Sequence, residues 1–232
     1  MNASKLRNLG TLSLANYGRK HAERLRQHPD ASVAQRAEVV SAAVSDLENA
    51  FAARRPLLAL WSAETEKKNA ADDSLDDYIR AISYDLLAPG LLNGDRAHAQ
   101  YRALFPDGTV RFVDGPDREQ LAHVAGMAKF LKDHPDHPMA GRRAGLLKLA
   151  AKLETALDAV AAAEAAVHSA WQIERDKREV VIRTLRKSAT FLRDYFDGDE
   201  AKVDALFPTL AEARVPDAER DEEPAIPKTP TR

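Results

Sequence analysis

The sequence predicts an all-α protein built from two tandem, internally duplicated helical units, whose long helices pack as a pseudo-two-fold bundle. The composition is rich in alanine, leucine, arginine, lysine and glutamate, which are strong helix formers. Two long stretches, residues 33–87 and 139–196, carry apolar residues at spacings of three, four and seven, the pattern of a helix with one buried face. The same short motifs recur in the same order in both halves, which indicates a duplication.

The two copies match at positions spread along their whole length. The separation between matched residues is about 106 at the start, about 110 in the middle and about 102 at the end, so three small gaps suffice. In the first copy the landmarks are His28, Arg36, Leu47, Trp61, Glu64, Lys67, Leu75, Gly94 and Leu104. Their counterparts are His134, Arg142, Leu157, Trp171, Glu174, Lys177, Leu185, Gly198 and Leu206.

The first unit, residues 16–106, follows a flexible N-terminal arm, residues 1–15. A short helix over Tyr17–Gln27 is expected to end at His28–Asp30, which forms a corner between helices. Ser32 is expected to cap the long helix that follows, with a glutamine three residues later as its capping-box partner.

The length of the long helices is open to two interpretations. Each stretch is either one continuous helix, which we favour, or a helical hairpin broken near residues 69–74 and 179–184. Between Gly145 and Gly198 there is no glycine or proline, which favours the continuous helix. Pro56 is expected to kink the first long helix or to start a new one, because proline cannot donate to the helical hydrogen bonds.

The linker, residues 107–116, separates the first unit from the second, residues 117–208. Its Thr109–Val113 segment is expected to form a lone strand or an extended loop. The C-terminal tail, residues 209–232, turns to proline and charged residues and is expected to be disordered.

Trp61 and Trp171 lie midway along the two long stretches, at matched positions. A buried tryptophan covers on the order of 200 Å², so two of them would anchor the packing of the units. We therefore expect both to be structural core anchors, with ligand stacking as the alternative.

The composition excludes several classes of function. With no cysteine, the chain has no thiol catalysis, no cysteine-ligated zinc and no disulfides, which fits a cytoplasmic location. No apolar run is long enough to cross a membrane. The alanine, arginine and aspartate bias is typical of a bacterial protein, and the net charge of −2 requires no polyanionic partner.

No motif predicts a catalytic, cofactor-binding or metal site. The chain has neither the glycine-rich loops that hold phosphates nor a nucleophile elbow. It also lacks the Glu-x-x-His pairs of di-iron bundles. Glu164 and His168 are four residues apart, but the first unit has no matching pair, so a surface contact is the simpler interpretation.

One charge pattern suggests an interaction surface. Aspartates in the first unit align with basic residues in the second, so the duplicated helix carries opposite charges on one face. The alternative is that both faces are simply solvated. Our hypothesis is that the faces meet, within the chain or between subunits, and set register. The residues concerned are Asp73, Asp76, Asp77, Arg183, Arg186 and Lys187.

The predicted function is therefore a non-catalytic helical scaffold or protein-interaction protein, with a protein partner or self-association and no cofactor. One alternative is a ligand-binding bundle or enzyme with a site between the two units. A second is weak nucleic-acid binding, which the acidic residues interleaved with Arg175, Arg178 and Arg193 argue against.

Overall fold

A computed structural model of the chain describes residues 6–113 and 115–215, except for the side chain of Arg111. These residues form helices joined by turns and loops, with no β-strand, which confirms the predicted all-α class. The elements in chain order are α1 (Thr11–Arg26), α2 (Ala31–Leu86), α3 (Ala99–Leu104), α4 (Val110–Val113), α5 (Asp117–Asp133), a 3₁₀ turn (Ala140–Arg142), α6 (Arg143–Tyr195), α7 (Glu200–Ala205) and α8 (Leu210–Ala213).

Both long stretches are continuous helices, as favoured from the sequence. Helix α2 continues through Pro56, so the expectation of a new helix there is wrong. The structure also corrects the predicted N-terminal cap of α2. Helix α2 begins one residue before Ser32, and the carboxylate of Asp30 accepts hydrogen bonds from the backbone N–H and the hydroxyl of Ser32, at 2.7 and 2.6 Å.

The linker contains no strand in its described residues, contrary to the expectation for Thr109–Val113. Val110–Val113 forms helix α4 instead. Phe112 is buried there, with its ring centroid 5.5 Å from that of Phe105 and 5.3 Å from that of His123. A lone strand would have left its backbone unpaired, whereas a helical turn pairs it locally and buries Phe112.

The chain divides into two compact bodies, each containing part of both long helices. We call Met1–Leu57 with Val167–Arg232 the terminal body, and Leu58–Ala166 the central body. Each body has its own buried apolar cluster. Each is also built from residues of both sequence units, because α2 and α6 continue from one body into the other.

In the terminal body, α1 packs against α2 and α6. A glycine at position 18 allows the close approach, since a Cβ there would lie 2.5 Å from Cγ2 of Val44 and 3.8 Å from Cγ1 of Val181. The apolar side chains of α1 that face this core include Leu14 and Leu25.

The segment after α7 packs on the polar face of α1. Thr209 and Glu212 form a capping box at the start of α8, and Ala213 is buried. Asn16 Nδ2 donates to the carbonyl of Ala213 at 3.2 Å, and Lys20 Nζ donates to that of Glu212 at 2.9 Å. Residues 209–215 of the predicted tail thus include a packed helix, and residues 216–232 lie outside the described residues.

The central body buries one face of α5 between α2 and α6. Its core is formed mainly by the apolar residues of these three helices. The hydroxyl of Tyr78 donates to the carbonyl of Arg142 at 3.1 Å and lies where a Cβ at Gly145 would be. This close approach ties α2 to the start of α6.

Candidate functional site

The predicted interaction residues fall on two helices, in different bodies. Arg183, Arg186 and Lys187 lie on the solvent side of α6 in the terminal body, and all three are exposed. Across the described residues, none of their charged groups has an ion-pair or hydrogen-bond partner. Three unpaired cations on adjacent turns make this face of α6 the most accessible charged surface among the predicted sites.

The three predicted aspartates differ in environment. Asp73 is exposed, and Asp77 forms a 3.2 Å ion pair with Arg80 while remaining largely exposed. Asp76 is buried, where its Oδ1 accepts a hydrogen bond from Gln120 of α5 and its Oδ2 lies 3.4 Å from Arg80 Nη2. Only Asp73 and Asp77 are therefore accessible to a partner.

Burial raises the pKa of Asp76 to about 6. The neighbouring carboxylate of Asp72 contributes to this rise in pKa, whereas Arg80 and the hydrogen bond from Gln120 oppose it. The pKa of Asp72 is also raised, first by burial and then by Asp117. This corner of the central body therefore holds carboxylates that take up protons more readily than free aspartate does.

A buried ion pair in the terminal body was not predicted from the sequence. Arg54 Nε lies 2.8 Å from Glu174 Oε2, although the N–H does not point at the oxygen, so the contact is electrostatic without hydrogen-bond geometry. The other carboxylate oxygen accepts a 2.6 Å hydrogen bond from the hydroxyl of Thr11. Arg178 donates to that hydroxyl at 2.8 Å and to the carbonyl of Leu9 at 2.7 Å.

A signal for this pair existed in the sequence. Arg54 lies seven residues after Leu47, and Glu174 seven residues after Val167, so each charge occupies a position of an apolar stripe. A charge at such a position requires a partner once it is buried. Sequence periodicity indicates the two positions, but it does not indicate that they pair with each other.

The buried histidines have structural environments. His21 is fully buried, with Nδ1 2.8 Å from the carbonyl of Leu206 and Nε2 2.8 Å from the hydroxyl of Ser188, and burial lowers its pKa to about 4. His137 accepts a hydrogen bond from the N–H of Met139 at 3.2 Å. Burial lowers its pKa, whereas a backbone contact with Gln100 raises it.

Neither tryptophan belongs to the two buried clusters. Trp61 and Trp171 are both half-buried. The Trp171 ring has the guanidinium of Arg175 5.7 Å from its centroid and the ring of His168 at 6.3 Å. His168 Nε2 in turn lies 3.1 Å from Gln172 Nε2, so this histidine contacts the next turn of its own helix.

Metal-binding clusters and membrane-spanning helices are both absent from the described residues. No group of three or more histidine, aspartate or glutamate side chains is arranged there to hold a metal ion. No helix in residues 6–113 and 115–215 is long and apolar enough to span a membrane.

No protein-family model, curated protein or solved structure matches this chain.

Proposed function

We propose that this protein is a non-catalytic helical scaffold that acts through protein–protein contacts, with another protein or with itself. The observation that carries the proposal is the exposed face of α6, where Arg183, Arg186 and Lys187 have no partner in the described part of the chain. Complementary charges across an interface speed association and set register. Unpaired cations on one face of a long helix are suited to that role.

The buried polar groups support the same proposal. Glu174, His21 and Asp76 each contact polar groups of their own body. A catalytic acid or base has to reach a substrate, whereas these side chains are buried and hydrogen-bonded. Their arrangement fits a role in holding the helices in place.

The proposal includes the internal duplication and the pseudo-two-fold packing predicted from it. The pattern of burial supports a duplication, because a constant separation of 106 residues relates buried apolar positions of the two copies. The pairs are Leu25 and Leu131, Val33 and Met139, Val40 and Leu146, Leu47 and Leu153, Leu75 and Val181, Ile79 and Leu185, and Leu86 and Leu192. This separation differs by one helical turn from the 110 residues that align the tryptophans.

Contacts recur at the same separation. Two side-chain contacts of the terminal body each have a counterpart in the central body when both residues are shifted by 106 positions. The related contacts are Thr11–Glu174 with Asp117–Lys68, and Arg36–Phe191 with Arg142–Asp85. Related contacts with different chemistry are expected of duplicated units that have since diverged.

Asp73 and Asp77 are the accessible acidic residues that we propose to contact the basic face of α6 in another copy of the chain. If the partner is another protein, its acidic surface takes their place. Asp76 is excluded from this contact by its burial. The cytoplasmic location predicted from the composition stays a prediction.

The test compares the wild type with the double variant Arg183→Glu/Arg186→Glu. Native mass spectrometry and sedimentation velocity over a range of concentrations would measure assembly, and circular dichroism would measure melting. The matched control is Lys148→Glu/Lys152→Glu, which makes the same charge change at two exposed positions of α6 in the central body. We expect only the first variant to lose assembly.

An unchanged solution mass and melting curve in Arg183→Glu/Arg186→Glu would overturn the proposal. A small molecule retained at one per chain would instead favour the ligand-binding or enzymatic alternative. Salt-sensitive DNA or RNA binding that this variant abolishes would favour nucleic-acid binding, since phosphate contacts weaken steeply with salt.

A further inference from the structure

A stripe of exposed residues runs along the solvent side of α6 in the terminal body. Ile173, Asp176, Val180, Arg183 and Lys187 follow one another at spacings of three and four residues, so they share one face of the helix. We call these five residues the α6 stripe. Ile173 is 52% exposed and Val180 is 39% exposed, although both are apolar.

The charged members of the α6 stripe have no partner in their own body. Asp176 and Arg183 are seven residues apart, about 10 Å along the helix, which is too far for an ion pair with each other. The acidic residue one turn before Arg183 is Glu179, and its carboxylate is 3.3 Å from Arg7. Within the described residues, neither Asp176 nor Arg183 has another charged group in contact.

The α6 stripe is complementary to itself when two copies lie antiparallel. With the Val180 side chains of both copies at the centre, Asp176 of one copy lies beside Arg183 of the other, and the same pair occurs twice. Ile173 then lies opposite Lys187, whose methylene stem can cover the apolar side chain while the ammonium stays in water. A parallel arrangement would place Asp176 on Asp176 and Arg183 on Arg183, which repel.

We propose that the α6 stripe binds the α6 stripe of a second copy of this chain, antiparallel and centred on Val180. The inference rests on the proposed scaffold function and names its partner, with Asp176 of the second copy in place of Asp73 and Asp77 as the acidic residue beside Arg183. Four apolar side chains, two from each copy, and two ion pairs form a small contact, so the dimer is weak and depends on concentration. Each copy contributes the same surface, as a closed two-fold dimer requires.

The first experiment exchanges the charges of Asp176 and Arg183. Sedimentation equilibrium would measure the dimer dissociation constant of Asp176→Arg, Arg183→Glu and the double variant. Each single change should raise the dissociation constant about tenfold or more, because like charges then meet at both ends of the contact. The double variant should restore it to within about threefold of the wild type.

The second experiment determines whether the two α6 helices lie antiparallel or parallel. Because the chain contains no cysteine, single cysteines can be introduced without side reactions. Val180→Cys should cross-link to itself with a short bismaleimide, whereas the matched control Val39→Cys, at an exposed valine of α2, should not. Ile173→Cys mixed with Lys187→Cys should cross-link, and Ile173→Cys alone should not, because its two copies would be about 21 Å apart.

Three outcomes would overturn the inference: a monomer at every concentration, no rescue in the double variant, or cross-linking of Ile173→Cys with itself. If Asp73→Arg/Asp77→Arg rescues Arg183→Glu and Asp176→Arg does not, the inference fails and the proposed scaffold function stands. If reversing Arg183 and Arg186 changes nothing, both fail.

Discussion

Arg54 and Glu174 form an ion pair inside the terminal body, with Nε and Oε2 2.8 Å apart and the two side chains only 7% and 6% exposed. One residue belongs to α2 and the other to α6, so the pair links two long helices. The hydroxyl of Thr11 adds α1 to the same network.

Removing one member of this pair should destabilise the protein strongly. We expect Arg54→Met or Glu174→Leu alone to lower the free energy of unfolding by about 3–5 kcal/mol, because each leaves a buried charge without its partner. The double variant should recover most of that loss. Urea unfolding followed by circular dichroism is the measurement, and single variants within about 1 kcal/mol of the wild type would contradict the prediction.

The ionisation of Asp76 should make stability depend on pH. Its pKa of about 6 in the folded protein exceeds the usual 3.8, so between these values the folded state binds the proton more tightly than the unfolded state. The free energy of unfolding therefore falls as the pH rises from about 4 to about 6, and the ionised carboxylate destabilises the fold at higher pH.

Asp76→Asn should remove this effect. Its stability relative to the wild type is expected to increase as the pH rises from 4 to 6 and then to stay constant. The comparison has to be with the wild type at each pH, because His21, with its pKa lowered to about 4, contributes the opposite slope in the same window. A stability difference that does not vary with pH would refute the assignment to Asp76.

The buried polar pair of Asp76 and Gln120 should be replaceable by the apolar pair found in the other body. In the proposed duplication, at a separation of 106 residues, Asp76 corresponds to Ile182 and Gln120 to Leu14. Leu14 and Ile182 are both buried in the terminal core. We expect Asp76→Ile/Gln120→Leu to match the wild type or to exceed its stability by about 1–3 kcal/mol at pH 7.

The single variant Asp76→Ile is the control for that exchange. It leaves the Gln120 amide buried without its acceptor, so it should be less stable than the double variant by about 1–3 kcal/mol. Thermal unfolding of the three proteins provides the comparison. Equal stability of the single and double variants would mean that Gln120 finds another partner.

Substituting alanine at two glycines should change the stability of the protein in opposite directions. Gly18→Ala places a Cβ 2.5 Å from Val44 and should destabilise the terminal body by about 1–3 kcal/mol. Gly126 lies inside α5 with no neighbouring atom near its Cβ position, so Gly126→Ala should stabilise by up to about 1 kcal/mol. Denaturant midpoints of both variants test this, and loss of stability in both would contradict the helix-propensity argument for Gly126.

The helical class and the extent of the long helices were predictable because they depend on local chemistry. Alanine- and leucine-rich stretches with one apolar stripe form helices wherever they pack, so α2 and α6 were expected within a few residues of their observed ends. Prediction from local chemistry was wrong where tertiary contacts determine the secondary structure. Phe112 is buried in the central body, and that burial favours a short helix over the expected extended segment.

The sequence identified the candidate interaction residues as charged, but it did not show which of them would be buried. Asp73, Asp76 and Asp77 look alike in the sequence, yet Asp76 alone faces α5 and is buried. The half-buried state of Trp61 and Trp171 could not be predicted from the sequence either, because the size and helical position of a side chain do not specify which neighbours cover its ring.

Residue order is enough to specify which segments become helices and which face of each helix is apolar, since both follow from propensity and from the period of the α-helix. The partner of each buried charge depends instead on which helices become neighbours after the chain has folded. Arg54 and Glu174 are 120 residues apart in the sequence, and their contact exists because burial of the apolar faces brings α2 and α6 together in the terminal body.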